Sequence, residues 1–256
     1  MEKSSAIGVI IQARMSSTRL PGKVLKILGD KPVVQHVIER SKRIPSCQKV
    51  ILATTTKPID DDLERLGKSL GISVYRGSEN DVLDRYYQAA KQFEVDTIVR
   101  ITADCPCLEP LIVQEVIDLY NKSEYDHVSN AQPPSLPDGL DAEIFSFRIL
   151  EKTWKEADDP LEREHVSLYM VRHPELFSHG NYVHPQDFSY LRLTLDEEVD
   201  FFLLREVFNE LYPNNPEFGL REIVQLFERR PELAKINQHI VPHPVSRWKK
   251  GQTESA

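Results

Sequence analysis

A chain of 256 residues, 40% hydrophobic and 28% charged, has the balance of an ordinary folded globule, and at this length it can withdraw roughly 70–75% of its unfolded surface from water. Its formal net charge of −8 argues against nonspecific attachment to nucleic acid or to an anionic membrane. Three cysteines, two of them as Cys105-Pro106-Cys107, offer neither a sensible disulfide nor a zinc knuckle, and no apolar run reaches the length of a membrane span or a secretory leader, so a reducing cytoplasm is expected.

The first apolar run, Ile7–Ile11, reads as a buried strand that gives way to a polar loop carrying Arg14, Ser16, Ser17, Thr18, Arg19 and Lys23. Pro32–Arg43 reads as a helix with Val34, Val37 and Ile38 inward. Lys49–Thr55 is a strand, and Asp60–Leu70 a helix whose leading aspartates suit its N-terminus, closed by Gly71. Ile72–Tyr75 (strand), Asn80–Phe93 (helix), Thr97–Ala103 (strand) and Leu111–Asn121 (helix) follow.

Strands alternating with helices imply an α/β chain with a mostly parallel sheet and right-handed crossovers. After Asn121 the rhythm changes. A Pro-rich turn region at Ala131–Gly139 precedes a strand at Leu140–Phe147, and Asp159-Pro160-Leu161-Glu162 reads as the capped start of a helix. Strands are expected near Phe177–Val183 and Tyr190–Leu195, then helices at Val199–Leu211 and Gly219–Arg229. One domain spanning 1–242 is expected, with residues about 131–190 as an inserted lobe and 243–256 as a flexible tail that includes Arg247, Lys249 and Lys250.

In open parallel sheets, ligands gather beyond the carboxyl ends of the strands. Three such ends carry chemistry. The basic loop after the first strand is neither a Walker A sequence nor G-x-G-x-x-G, yet its cations suit a polyphosphate: Arg14 and Arg19 as bidentate forks, Lys23 as a point charge. Asp104 ends TIVRITA and Asp196 ends YLRLTL. Two carboxylates sharing a crevice with phosphates suit Mg²⁺ or Mn²⁺. The plainer readings are a solvated basic connection for the loop and helix N-caps for the aspartates.

Gln12–Leu25, QARMSSTRLPGKVL, resembles the signature of cytidylyltransferases that activate acidic sugars, the CMP-Kdo and CMP-acylneuraminate synthetases. RGSENDVLDRYYQAA (76–90), RITADCPCLEP (100–110), PDGLDAEIFSF (137–147), EREHVSLYM (162–170) and LRLTLDEEVDF (191–201) look still more like the related spore-coat polysaccharide biosynthesis protein F family. The resemblance covers roughly residues 6–230. It implies a Rossmann-like fold of the nucleotide-diphospho-sugar transferase (GT-A) type, CTP as substrate and Mg²⁺ as cofactor, with a homodimer by analogy.

Carried onto this chain, the resemblance makes Arg14, Lys23 and Asp104 catalytic and Asp104 and Asp196 metal ligands. Gln12, Ala13, Arg14, Ser17, Arg19, Lys23, Arg76, Gly77, Arg85 and Asp104 would hold the nucleotide. Asp138, Asp141, Glu143, Arg163 and His165 would meet the acceptor, with Glu164 in the same block. The sequence departs from the acidic-sugar synthetases at Ala103-Asp104-Cys105-Pro106, where those enzymes carry G-D-E-P.

The implied reaction is attack of an acceptor oxygen on the α-phosphorus of CTP with release of pyrophosphate, for a sugar acid or a sugar or alditol phosphate. Two other classes stay open. A nucleotide-sugar glycosyltransferase shares the fold but wants D-x-D, where this chain reads Asp104-Cys105-Pro106, and a catalytically idle scaffold would have no use for the intact charged set. His165 reads more readily as a hydrogen-bonded helix residue than as a proton acceptor. Cys105, Cys107, Trp154 and Phe201–Phe202 read as packing residues, and His127 and His184 receive no role.

Overall fold

The computed structural model describes residues 6–240. In chain order the elements are β1 (Ile7–Gln12), the hairpin strands β2 (Ile27–Leu28) and β3 (Lys31–Pro32), α1 (Val33–Ser41), β4 (Lys49–Thr55), α2 (Asp61–Ser69), β5 (Ser73–Gly77), α3 (Val82–Gln92), β6 (Thr97–Thr102) and α4 (Pro110–Lys122). Then come β7 (His127–Ser129), β8 (Glu143–Ser146), α5 (Phe147–Glu156), α6 (Pro160–Glu164), α7 (Leu168–Arg172), β9 (His179–Asn181), α8 (Glu198–Leu211) and α9 (Leu220–Arg229).

Seven strands form one sheet in the order β5-β4-β1-β6-β8-β7-β9. The first four run parallel, β8 runs antiparallel to both β6 and β7, and β9 pairs parallel with β7. The sheet is thus mostly parallel, and helices cover both faces. The reason is visible in β1. Val9 and Ile11 point into a core shared with α1, α2 and α4, whereas Ile10 points to the other side among α3, α5 and α7. All three are completely buried, each contributing roughly 1.5–3 kcal/mol of transfer free energy. A third apolar cluster joins α8 and α9 to Leu136, Leu140, Leu191, Leu193 and Leu195.

Register decides what emerges where. Gln12 lies opposite both Ala53 and Thr102, so β1 and β6 end level while β4 runs on to Thr55, and the loops that follow open on one edge of the sheet. The stretch from about 131 to 190 supplies β8 and β9, the far side of the same sheet, with α5–α7 over one face.

Several expectations need correction. Tyr190–Leu195 forms no ladder. It contributes a single parallel bridge, Asp138 to Arg192, because its leucines pack beneath α8 and α9. The strand expected at Leu140–Phe147 is shortened to β8: Gly139 turns the chain before it, and Ser146 caps α5 after it by accepting from the Ile149 amide. The β2–β3 hairpin, β7, α5 and α7 were not foreseen. The helix at Asp159–Glu162 does form, with the Asp159 carboxylate accepting from the Leu161 amide at 2.7 Å. The tail from 243 lies outside the described residues.

Candidate active site

The level ends of β1 and β6 open into a cleft of about 600 Å³. Two features shape the loop that enters it from β1. The Asp60 carboxylate, fully buried, accepts from the Met15 amide at 2.8 Å and also takes the Thr55 hydroxyl. Gly22 adopts φ +72°, where a side chain is disfavoured, and its amide bonds back to the Met15 carbonyl at 2.9 Å. The loop is closed on itself, and the next residue, Lys23, turns inward.

Lys23 Nζ donates to Asp104 at 2.5 Å and to Asp196 at 2.8 Å. Burial would lower the lysine pKa, but the two carboxylate charges outweigh it and raise it. Asp104 shows the converse: burial raises it, and the Lys23 charge and hydrogen bond bring it below the ordinary value. Arg19 reaches the same Asp196 oxygen at 2.8 Å. Asp196 leads into α8, where the buried Asp200 accepts from the amides of Asp196 and Glu197.

On the opposite wall, Arg192 Nη1 pairs with Asp138 at 2.6 Å, Nη2 with Asp196 at 3.2 Å, and the guanidinium with Asp200 at 2.9 Å. Cross-strand register sets Arg100 of β6 against Glu143 of β8, where the two form an ion pair. Glu143 also meets His127 Nε2 at 3.1 Å, and His127 Nδ1 meets His179 Nδ1 at the same distance. Burial raises the Glu143 pKa, but Arg100 and His127 overcome that and leave it well below the usual range. Asp141 differs. Burial, Asp138 and Glu143 all push it upward, to about 7.

Of the residues singled out from the sequence, Gln12, Ala13, Arg14, Ser17, Arg19, Lys23, Arg85, Asp104, Asp138, Asp141, Glu143, His165 and Asp196 line this cleft. Arg76, Gly77 and Arg163 do not. The Arg76 guanidinium is taken by Asp61 at 2.7 Å and Glu64 at 2.6 Å, so it braces α2 against β5. Gly77 ends β5 beside it. Arg163 clamps Asp81 at 2.6 Å and the Trp154 carbonyl at 2.8 Å, so it fastens α6 to α3 and α5. Arg100 and Arg192 were missed, although both line the cleft. Glu164 lines it too, 3.6 Å from Arg14.

Three buried side-chain atoms among the cleft residues lack a hydrogen-bond partner: Gln12 Oε1, Arg85 Nε and Arg100 Nε. Unmet polar groups gathered at one cleft are the mark of a polar ligand site. The donor set also fits a divalent ion. One ammonium bridges Asp104 and Asp196, so the two carboxylates lie within reach of a single cation. Magnesium is commonly held by one or two carboxylates together with substrate phosphates. No group of three or more His, Cys, Asp and Glu placed to hold a metal ion occurs among the described residues.

Residues 8–238 match the family model described as Cytidylyltransferase. An uncharacterised protein of Methanocaldococcus jannaschii is 37% identical over 90% of this chain and 94% of its own. The spore coat polysaccharide biosynthesis protein SpsF of Bacillus subtilis is 32% identical over 88% and 95%. Among solved structures, a cytidylyltransferase from Leptospira borgpetersenii superposes with a TM-score of 0.86 at 34% identity, covering 93% of this chain and 99% of that one. A CMP:2-keto-3-deoxy-manno-octonic acid synthetase complexed with CTP shares the fold, with a TM-score of 0.64 at 17% identity over 80% and 99%. A match that spans nearly the whole chain, basic loop and both strand-end aspartates included, shows that this protein belongs to the cytidylyltransferase family.

Proposed function

We propose that the protein transfers CMP from CTP to an acidic sugar, or to a sugar or alditol phosphate, releasing pyrophosphate during synthesis of a cell-surface or spore-coat polysaccharide. The observation that carries this reading is the meeting of Arg19 and Lys23 with Asp104 and Asp196 at one end of the cleft. Cations on a loop closed by Gly22 are held ready for a triphosphate. As the acceptor oxygen approaches the α-phosphorus in line, Arg14, Arg19 and Lys23 offset the charge that builds on the departing pyrophosphate. Gln12, Ala13, Ser17 and Arg85, which line the same cleft, would hold cytosine and ribose.

Magnesium held by Asp104 and Asp196 with the phosphates would neutralise charge on the α-phosphate. The wall of Asp138, Asp141, Glu143 and His165 is left for the acceptor. The reading includes one catalytic unit, with the stretch from about 131 to 190 serving acceptor and partner subunit, acting as a homodimer in the cytoplasm.

A thermal-shift panel of CTP, UTP, ATP, GTP, CMP and UDP-sugars, each with and without Mg²⁺, tests it. Stabilisation by CTP with Mg²⁺ of roughly 2.7 kcal/mol at a hundredfold excess over Kd is expected. Stabilisation by a UDP-sugar and none by CTP would replace this reading with a glycosyltransferase.

A further inference from the structure

Asp141 stands in the acceptor wall between two carboxylates that are already spoken for. Asp138 is paired with Arg192 at 2.6 Å, and Glu143 is paired with Arg100 and bonded to His127. Among the described residues Asp141 forms no ion pair. The groups that act on it are Asp138 and Glu143, both repulsive, Arg100 at longer range, and the Gly139 amide, with the buried Cys105 thiol behind. Its position is nonetheless fixed. The Asn130 side chain donates to the Leu140 carbonyl and accepts from the Ala142 amide, both at 2.9 Å, so the backbone is held on either side. Arg192 bridges Asp138 to Asp196, which sets this wall beside the end of the cleft where Lys23 lies. The unpartnered Arg85 Nε, on a residue only 1% exposed, also borders the cleft and marks it as a place for a ligand.

We propose that Asp141 is the base that takes the proton from an acceptor hydroxyl. This rests on the nucleotidyl-transfer reading above and narrows it: the attacking group is a hydroxyl rather than a phosphate. The hydroxyl oxygen forms a bond to the α-phosphorus, and the bond from that phosphorus to the oxygen bridging the β-phosphate breaks. Pyrophosphate leaves with the electron pair. The hydroxyl proton passes to the Asp141 carboxylate, which yields it to water once the product departs.

Basicity separates Asp141 from its neighbours. Asp104 and Glu143 are held low by cations, whereas Asp141 is pushed up to about 7, close to the value that best suits a general base at neutral pH. A phosphate acceptor would need no base, since its attacking oxygen is already ionised near neutral pH. The working form is the carboxylate, so kcat/KM should rise with pH through an acid limb centred near 7.

The test compares wild type, Asp141→Asn, Asp141→Glu and His165→Gln. Pyrophosphate release is followed between about pH 5.5 and 9 with 2-keto sugar acids and with alditol phosphates as acceptors, and CTP affinity is measured by calorimetry. Asp141→Asn should lose roughly 10²–10⁴ in kcat and lose the acid limb, with CTP affinity within about twofold and partial recovery in Asp141→Glu. Turnover in Asp141→Asn within about threefold of wild type overturns the assignment. So does an acid limb that survives there but vanishes in His165→Gln, or turnover with alditol phosphates alone. Wild-type protein that binds no CTP brings down the nucleotide reading, and this one with it. CTP bound normally, with Asp141→Asn still active, brings down the role of Asp141 alone.

Discussion

Lys23 Nζ lies 2.8 Å from Asp196, a residue 173 positions later in the chain. The lysine holds together two carboxylates that would otherwise repel each other at the mouth of the cleft, Asp104 and Asp196. Its removal therefore acts on stability as well as on binding.

Lys23→Ala should weaken CTP binding by roughly tenfold or more and destabilise the ligand-free protein by about 2 kcal/mol, since it strands the Asp104 carboxylate, whereas Asp196 keeps Arg19 and Arg192. Millimolar Mg²⁺ should restore more stability to this variant than it adds to wild type, because the ion replaces the lost charge. Thermal unfolding with and without MgCl₂ checks this. An equal Mg²⁺ response in both proteins would count against a shared cation position.

Asp196→Asn keeps the shape of the side chain but halves the oxygens that accept from Arg19, Lys23 and Arg192, and removes their charge. The far-UV circular dichroism should be unchanged, while turnover falls by roughly 10² or more and loses its dependence on added Mg²⁺. Retained Mg²⁺-stimulated pyrophosphate release in this variant would exclude Asp196 as a ligand.

Glu143 offers a pH signature. Its folded-state pKa is depressed, so the stability it supplies with Arg100 and His127 is present above its ordinary value of 4.5 and is lost as the pH falls below that. Glu143→Gln should be less stable than wild type at neutral pH by about 2–3 kcal/mol, because the half-buried Arg100 charge loses its partner. The gap should narrow on acidification below about pH 4.5. Urea titrations at several pH values provide the measurement. A gap that stays constant with pH would mean the pair contributes nothing through its charge.

Gly139 and Gly71 form a paired test of backbone freedom. Both have positive φ, +105° and +69°. A Cβ at Gly139 would stand 2.5 Å from the Thr194 amide nitrogen and 2.6 Å from the Leu193 carbonyl carbon, whereas one at Gly71 meets nothing. Gly71→Ala should cost about 1 kcal/mol from backbone strain alone. Gly139→Ala should cost several times that or prevent folding, since the clash is with backbone that cannot rotate away. Equal melting temperatures for the two variants would refute the close approach of these segments.

Much of this arrangement could be read from the chain, and the reason is local. Ile7–Gln12, Lys49–Thr55 and Thr97–Thr102 are apolar runs cut off by polar residues, so the strand ends carrying Arg14, Lys23 and Asp104 were located with them. Where contacts between distant elements decide the outcome, the sequence misleads. An arginine among leucines at Leu191–Leu193 looks like the solvent side of a strand, and nothing local shows that Arg192 is buried against three aspartates. Arg76 follows a strand just as a ligand residue would, but Asp61 and Glu64 capture it from another element. The pattern EIFSF ran on past Ser146, which hid the start of α5 because that helix buries only Ile149, Leu150 and Thr153.

The span between Lys23 and Asp196 has a bearing on synthesis at the ribosome. Sheet strands β1, β4, β5 and β6 can pair while the later half of the polypeptide is still being made, yet a nascent chain that stops short of Asp196 has Lys23 facing Asp104 alone. On the function proposed above, a truncated or stalled product would carry the cationic loop without its second carboxylate, so activity would arrive late in translation.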